Sequence, residues 1–344
     1  MDLEAFDYHL PPAAVAQAPA ERRDASRLLL IDRARRALAD HVFADLPALL
    51  RPGDCVVVND SRVIPARVLA RDAAGRAVEL LFVEPTAGGR WRALVRPGRR
   101  CRPGAALTTG DDGPARLRIV AALPDGTREV ERLDGTVDDL LARQGLVPLP
   151  PYIARFAKPD AEDAERYQTV YARVPGSIAA PTAGLHFSPA VLGGLRARGV
   201  EIHELTLHVG PGTFRPITSA HVEDHALPPE RVSISGTVAG AVNAARADGR
   251  RVVAVGTTTA RALEGAAGPD GRVAPLEGRV GLSIAPGHRF RVLDALLTNF
   301  HLPRSSLLVL VAAFAGRDLV LDAYRHALAA GYRFYSYGDA TLIV

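Results

Sequence analysis

The chain has 344 residues, 48% of them hydrophobic and 23% charged, which is enough apolar mass for a sizeable core in about two domains and excludes a disordered chain. Its formal net charge of +4 accommodates a polyanion without requiring one, and Lys158 is the only lysine, so an arginine-rich coding bias explains the basic residues as well as phosphate recognition does. Two isolated cysteines, Cys55 and Cys101, exclude a disulfide framework, and no basic leader or membrane-length apolar run occurs, so a cytoplasmic chain with no membrane partner is expected.

After Pro52 a Gly-Asp turn leads into Cys-Val-Val-Val, a continuous β-branched run that predicts a strand buried on both faces, with Asn59 and Asp60 at its end. Beyond Arg67 short alternating segments such as Val78 to Val83 and Trp91 to Val95 are separated by Gly-Gly, Pro-Gly and Asp-Gly turns. That spacing predicts a small antiparallel barrel, finishing near Gly135 and followed by a helical stretch from Val137 to Gln144. From Tyr152 onward helical candidates at Pro189 to Arg198 and Val238 to Ala247 lead into β-rich runs at Ile202 to Val209 and Val252 to Val255. Strands alternating with helices predict an α/β fold, a three-layer α/β/α main domain over 1–66 and 150–344 with the barrel inserted at 67–149. The apolar run from Leu307 to Ala315 is about half the length of a spanning helix and reads as a buried strand or helix.

Several segments are rich in polar groups that packing does not need. The stretch Gly176 to Phe187 uses small residues that let a ligand approach the backbone and offers Thr182 and His186; the plain alternative is a tight turn at a helix entry. Leu207-His-Val-Gly-Pro-Gly-Thr-Phe214 joins a strand end to a glycine turn, where open α/β sheets bind ligands, and puts His208, Gly210 and Thr213 there. It lacks the third glycine of a dinucleotide fingerprint. Val255-Gly-Thr-Thr-Thr reads as a strand, a hydroxyl-rich turn and a helix start, where Thr257 and Thr258 either help to hold an anion or simply cap the helix. Asn299, His301 and Arg304 share one short segment suited to a base edge or ribose hydroxyls. The aromatics of Tyr332 to Tyr337 alternate as on a core strand, leaving Asp339 as the functional candidate of that segment. No histidine spacing suits a metal, and none is expected.

The chain resembles the S-adenosylmethionine:tRNA ribosyltransferase-isomerase family of queuosine biosynthesis nearly end to end. The resemblance rests on Phe6-Asp-Tyr-His-Leu-Pro11, Arg23-Asp-Ala-Ser-Arg-Leu28, Val58-Asn-Asp-Ser-Arg-Val-Ile-Pro-Ala-Arg67, Pro148-Leu-Pro-Pro-Tyr-Ile153 and Glu165-Arg-Tyr-Gln-Thr-Val-Tyr-Ala172. It continues through Ala179-Ala-Pro-Thr-Ala-Gly-Leu-His-Phe187, His208-Val-Gly-Pro-Gly-Thr-Phe214, Ala254-Val-Gly-Thr-Thr258 and Thr298-Asn-Phe-His-Leu-Pro303. The resemblance implies an α/β domain carrying an inserted β-barrel. It also implies an activity in which the ribosyl moiety of S-adenosylmethionine moves onto 7-aminomethyl-7-deazaguanine at the tRNA wobble position, giving epoxyqueuosine and releasing adenine and methionine.

Such a reaction needs a general base beside the sulfonium, for which His186 and His208 are the candidates. Thr182, Gly210 and Thr213 would line the same pocket, Thr257 and Thr258 would hold the methionine end, and Asn299 with His301 would read adenine or ribose. Asn59, Asp60, Gln168 and Asp339 complete the expected substrate-binding set. Arg62, Arg67, Arg99, Arg100 and Arg102 would meet tRNA phosphate, with an extruded base on Tyr152 or Tyr167. S-adenosylmethionine enters as a substrate, and tRNA is the expected macromolecular partner, with no obligate protein partner evident. The chain departs from the family at Pro228 and Pro229, where the family has His and Ser, and at Ala285 and His288. A free deazapurine acceptor is therefore the alternative substrate.

Overall fold

The apolar run that opens at Cys55 is buried at every residue, as a strand covered on both faces must be. The structure is a computed structural model that describes residues 1–110, 115–154, 161–214 and 217–344, without the side chains of 115, 161, 213 and 214. In chain order it forms β1 (Arg27–Asp32), β2 (Ala37–Val42), α1 (Leu46–Leu49), β3 (Cys55–Asn59) and β4 (Ser61–Val63). Six strands follow: β5 (Arg67–Asp72), β6 (Ala77–Pro85), β7 (Trp91–Arg96), β8 (Ala106–Thr109), β9 (Ala115–Ala122) and β10 (Arg128–Arg132). Then come α2 (Val137–Gln144), α3 (Ala161–Arg166), β11 (Val174–Ser177), a 3-10 turn at Thr182–His186, α4 (Pro189–Ala197), β12 (Glu201–Leu207) and β13 (Glu230–Ile234). The chain continues through α5 (Gly236–Ala247), β14 (Val252–Val255), α6 (Thr257–Gly265), β15 (Leu276–Val280), β16 (Ala295–Asn299), α7 (Ser306–Ala315), α8 (Arg317–Ala329) and β17 (Ala340–Ile343).

Contacts divide the described chain into two compact units, one of residues 1–61, 166–174 and 180–344, the other of 62–165 and 175–179. The second unit contains a closed antiparallel barrel in the order β10-β7-β6-β5-β8-β9. Alternation fills its interior: Val78, Leu80 and Phe82 of β6 and Trp91, Ala93 and Val95 of β7 point inward, and Val137, Leu140 and Leu141 of α2 pack on the same core.

The first unit is built on a nine-stranded sheet in the order β15-β13-β12-β3-β14-β16-β17-β1-β2. Strands β12, β3, β14 and β16 are mutually parallel, so their carboxyl ends share one edge. Strand β17 runs antiparallel to β16 and parallel to β1, which brings the amino-terminal ends of β17 and β1 to that same edge. One face, through Val56, Val58, Val253, Val255, Ala295 and Leu297, packs on α1 and α4 residues such as Leu46, Val191 and Leu195. The alternate residues Cys55, Val57, Val252, Ala254 and Leu296 are buried on the opposite face, where α5 and α6 contact β3 and β14. Helices thus cover both faces, the arrangement expected of an α/β/α layer structure. Leu307–Ala315 is part of helix α7, and among the described residues no helix is long and apolar enough to cross a membrane.

One segment folds otherwise than its pattern predicts. Tyr332 to Tyr337 carries alternating aromatics yet forms a looped turn, because Tyr335 adopts a left-handed φ of 76° and Asp339 folds back onto Arg333. The Asp339 amide donates to the Arg333 carbonyl at 2.7 Å, and its carboxylate accepts the amides of Arg333 and Arg27 at 2.8 and 2.9 Å. A buried carboxylate that collects two backbone amides outweighs the strand preference of the aromatics.

Candidate functional site

In an open parallel sheet, ligands bind beyond the carboxyl ends of the strands. At that edge the first unit gathers side chains that lie far apart in sequence. Asn299 ends β16 on the face shared with Ala295 and Leu297, and Ser26 precedes β1. Between them His186 closes its 3-10 turn and stacks on Phe43 at 5.1 Å.

The amide nitrogen of Asn299 lies 3.1 Å from Nε2 of His186 and donates to the Tyr335 carbonyl at 3.2 Å. A carbonyl only accepts, so the amide orientation is set, and Nε2 must be the acceptor. Nδ1 therefore carries the proton and donates to Ser26 Oγ at 2.7 Å, while the Ser26 hydroxyl donates to the Arg23 carbonyl at 3.2 Å. Burial, with Arg333 and Arg23 nearby, pushes the His186 pKa down to about 3, so the ring is neutral. Both ring nitrogens are committed. Asn299 Oδ1, by contrast, is buried without a partner.

Along the same edge Asn59 holds the end of β3 to β12: its amide donates to the Leu207 carbonyl at 2.9 Å, and its oxygen accepts the amides of Leu207 and Ser61. Asp60 is enclosed and accepts from Thr206 and Arg173, each at 2.6 Å. Both residues fix the backbone from which the His208 turn departs. His208 itself is half-buried, and its Nδ1 has no partner. Burial first, then Arg231, lowers its pKa, so this imidazole is also neutral but has an uncommitted nitrogen.

The Gly210 amide donates to Glu230 at 2.8 Å, and the other Glu230 oxygen accepts from Arg261 of α6 at 2.7 Å. Gly212 has no room for a side chain, since a Cβ there would meet Pro228 at 2.5 Å. Pro228 is one of the two departures from the family pattern, and it forms a wall of this turn. Thr213 belongs to the same turn, with its side chain outside the described residues.

Helix α6 starts at the end of β14 with Gly256 as its first cap, at a φ of 91° that favours glycine, and with no side-chain cap. Capping therefore does not explain Thr257 and Thr258. Thr259 bonds the Val255 carbonyl, whereas the Thr258 hydroxyl is buried and unpartnered. Thr182 opens the neighbouring 3-10 turn, half-buried.

Thr298 faces the opposite side of β16 from Asn299, and His301 bonds Thr298 Oγ1 at 3.0 Å there, while its backbone carbonyl and amide are held by the hydroxyls of Tyr8 and Tyr324. Burial lowers its pKa to about 3. Tyr167 is 0% exposed and meets Tyr337 edge-on, so its ring face is not open to an extruded base, and Gln168 beside it is also buried. Arg62 and Tyr152 belong to the second unit. Arg67 is buried against Glu79 at 3.1 Å, which leaves exposed Arg99, Arg100 and Arg102 as the barrel's cations of the expected set. Ser26 lies inside the Arg23–Leu28 motif and Tyr335 inside the aromatic segment, yet neither carried an expected role, nor did Glu230 or Arg261; each reaches the edge only through the strand order.

A family model described as queuosine biosynthesis protein matches residues 3–343. The chain is similar to the S-adenosylmethionine:tRNA ribosyltransferase-isomerase of Anaeromyxobacter dehalogenans, 53% identical over 100% of this chain and 99% of that protein. A protein of the same name from Symbiobacterium thermophilum is 49% identical over the whole of both chains. Among solved structures, the S-adenosylmethionine tRNA ribosyltransferase of Thermotoga maritima is 35% identical with a TM-score of 0.55, covering 99% of this chain and 100% of that one.

Proposed function

We propose, since this chain belongs to the queuosine biosynthesis protein family, that it transfers and isomerises the ribosyl moiety of S-adenosylmethionine onto 7-aminomethyl-7-deazaguanine at the tRNA wobble position. The products are epoxyqueuosine, adenine and methionine. The supporting observation is identity of about half over the full length to proteins bearing that activity in their names.

The donor's sulfonium acidifies its 5′ carbon, so a positioned base can remove that proton and let adenine leave. The substrate amine then attacks the sugar, and closure of the epoxide expels methionine. His208 suits the base: it is neutral, half-buried, beside a glycine turn and has a nitrogen without a partner. His186, with Nε2 accepting and Nδ1 donating, instead orients Asn299, whose free Oδ1 suits an amino or hydroxyl donor of the nucleoside. Thr182 and Gly210 would flank the sugar, and Thr257 and Thr258 at the start of α6 would hold the methionine chain of the donor beside the sulfonium. Glu230 and Arg261 are positioning residues for the Gly210 turn. For tRNA, with which a cytoplasmic location is consistent, exposed Arg62, Arg99, Arg100 and Arg102 would contact phosphate and Tyr152 would stack the base.

The test incubates the protein and S-adenosylmethionine with tRNA bearing the aminomethyl base, or with the free base. Adenine release with the tRNA alone supports the proposal. Release with the free base alone transfers it to a small acceptor, and no release with either overturns it.

A further inference from the structure

The segment from Ile217 to Leu227, the turn at Ser283 to Ala285, and the flanks of α6 and α7 enclose a cavity of about 50 Å³ in the first unit. Its walls are mainly apolar, including Val222, Leu227, Ile284, Leu307 and Leu310. Five polar side chains break that wall: Ser306, Ser283, which accepts the Leu227 amide at 2.9 Å, Glu223, whose carboxylate is taken by the Met1 amino group at 2.7 Å, and Arg261 and His225. Arg261, 2% exposed, uses Nε on the Leu282 carbonyl at 2.9 Å and Nη1 on Glu230 at 2.7 Å, and its Nη2 has no partner among the described residues. His225 also lines the cavity, with Nε2 buried and unpartnered.

A buried guanidinium nitrogen without an acceptor costs on the order of 1–3 kcal/mol or more, a cost that an arriving anion relieves. Glu230 does not supply it: its oxygens are directed to Arg261 Nη1 and to the Gly210 amide, and neither meets Nη2. The volume admits a few heavy atoms, which suits a carboxylate with its adjoining carbon and excludes a nucleoside phosphate. Mainly apolar walls with one unpartnered guanidinium nitrogen suit a ligand with an apolar stem and an anionic tip.

Position along α6 narrows the ligand. Thr258 and Arg261 are three residues apart, which puts them on neighbouring positions of one helix face, separated by about 4.5 Å along the axis. From the sulfonium of S-adenosylmethionine to the carboxylate of its methionine is a span of that order. We propose that this cavity receives the methionine carboxylate of the donor, bonded to Arg261 Nη2 with His225 beside it. The assignment rests on the function proposed above and adds the residue that recognises the amino-acid end.

Isothermal titration of the whole chain tests it, using S-adenosylmethionine and its decarboxylated analogue. The wild-type protein should bind the decarboxylated donor on the order of 10- to 100-fold more weakly, the value of one charge-assisted hydrogen bond. Arg261→Gln should lose a similar factor for the intact donor and bind the two donors within about 2- to 3-fold of each other. Leu307→Trp, which fills the cavity from a half-exposed wall and spares the Arg261–Glu230 pair, should weaken the intact donor and leave the decarboxylated one little changed. Equal binding of both donors by the wild type, or full discrimination retained in Arg261→Gln or Leu307→Trp, overturns the assignment. If the wild type binds neither donor, the proposed function itself fails.

Discussion

Asn299 donates its amide to Nε2 of His186, and through that contact a residue at the end of one strand sets which nitrogen of the imidazole bears the proton. The consequence is testable in the intact protein. Nitrogen-15 spectra of the histidine rings should show His186 as the Nδ1–H tautomer across neutral pH. Asn299→Ala should cost about 1–3 kcal/mol in chemical denaturation by leaving Nε2 buried without a donor. A His186 signal of the Nε2–H form would refute the chain of hydrogen bonds from Tyr335 to Arg23.

His208→Ala is expected to reduce the rate of adenine release about 10²- to 10⁴-fold, the range for loss of a general base, with donor affinity changed little. Because burial and Arg231 lower the His208 pKa, the acid limb of the wild-type pH–rate profile should fall below the ordinary histidine value. A full-rate His208→Ala variant would return the base role to another group.

Protonation of His186 and His301 opposes folding. Each has a folded pKa near 3, against an ordinary value of 6.5, so as pH falls below 6.5 the unfolded chain takes up protons that the native chain does not. Native stability contributed by the two rings is therefore complete above pH 6.5 and declines between there and about 3. Each ring adds a slope of about 1.4 kcal/mol per pH unit in that window. Urea titrations from pH 7 to 4 should show this slope diminish in His301→Asn.

Gly338→Ala tests the turn that presents the Tyr335 carbonyl to Asn299. A Cβ there would lie 2.4 Å from the Arg333 carbonyl oxygen, a backbone atom that cannot rotate away. Destabilisation of about 1–3 kcal/mol is expected, measured by thermal or urea unfolding.

Much of this architecture is legible in local pattern. The helix read at Val137 to Gln144 is α2, bounded by a Thr136 hydroxyl cap, and the Val-Val-Val run is the buried strand it predicts. Barrel strands β6 and β7 show their alternation directly. The Tyr332–Asp339 loop does not, because periodicity cannot report a left-handed residue at Tyr335 or a carboxylate that reaches back six residues to Arg333. For the candidate site, motifs marked His186, His208, Asn299 and the α6 start. They gave no role to Ser26, although it lies inside the Arg23–Leu28 motif, or to Glu230 and Arg261, because these meet their partners only through the order of nine strands. Nor could a motif distinguish His301 from Asn299: pleat alone would put residues two apart on one face, and only the turn of the chain beyond β16 carries His301 back to Thr298 on the other.

Strand β17 lies between β16 and β1 and bonds to both, although it leaves the ribosome after every other strand of the sheet. Until it inserts, the nascent chain holds two unpaired strand edges, and neither Asp339 nor Tyr335 can brace the pocket. Competence should therefore arrive in one cooperative event, once β17 has been made and inserted. Premature release before residue 340 would yield a sticky intermediate in place of a slow enzyme.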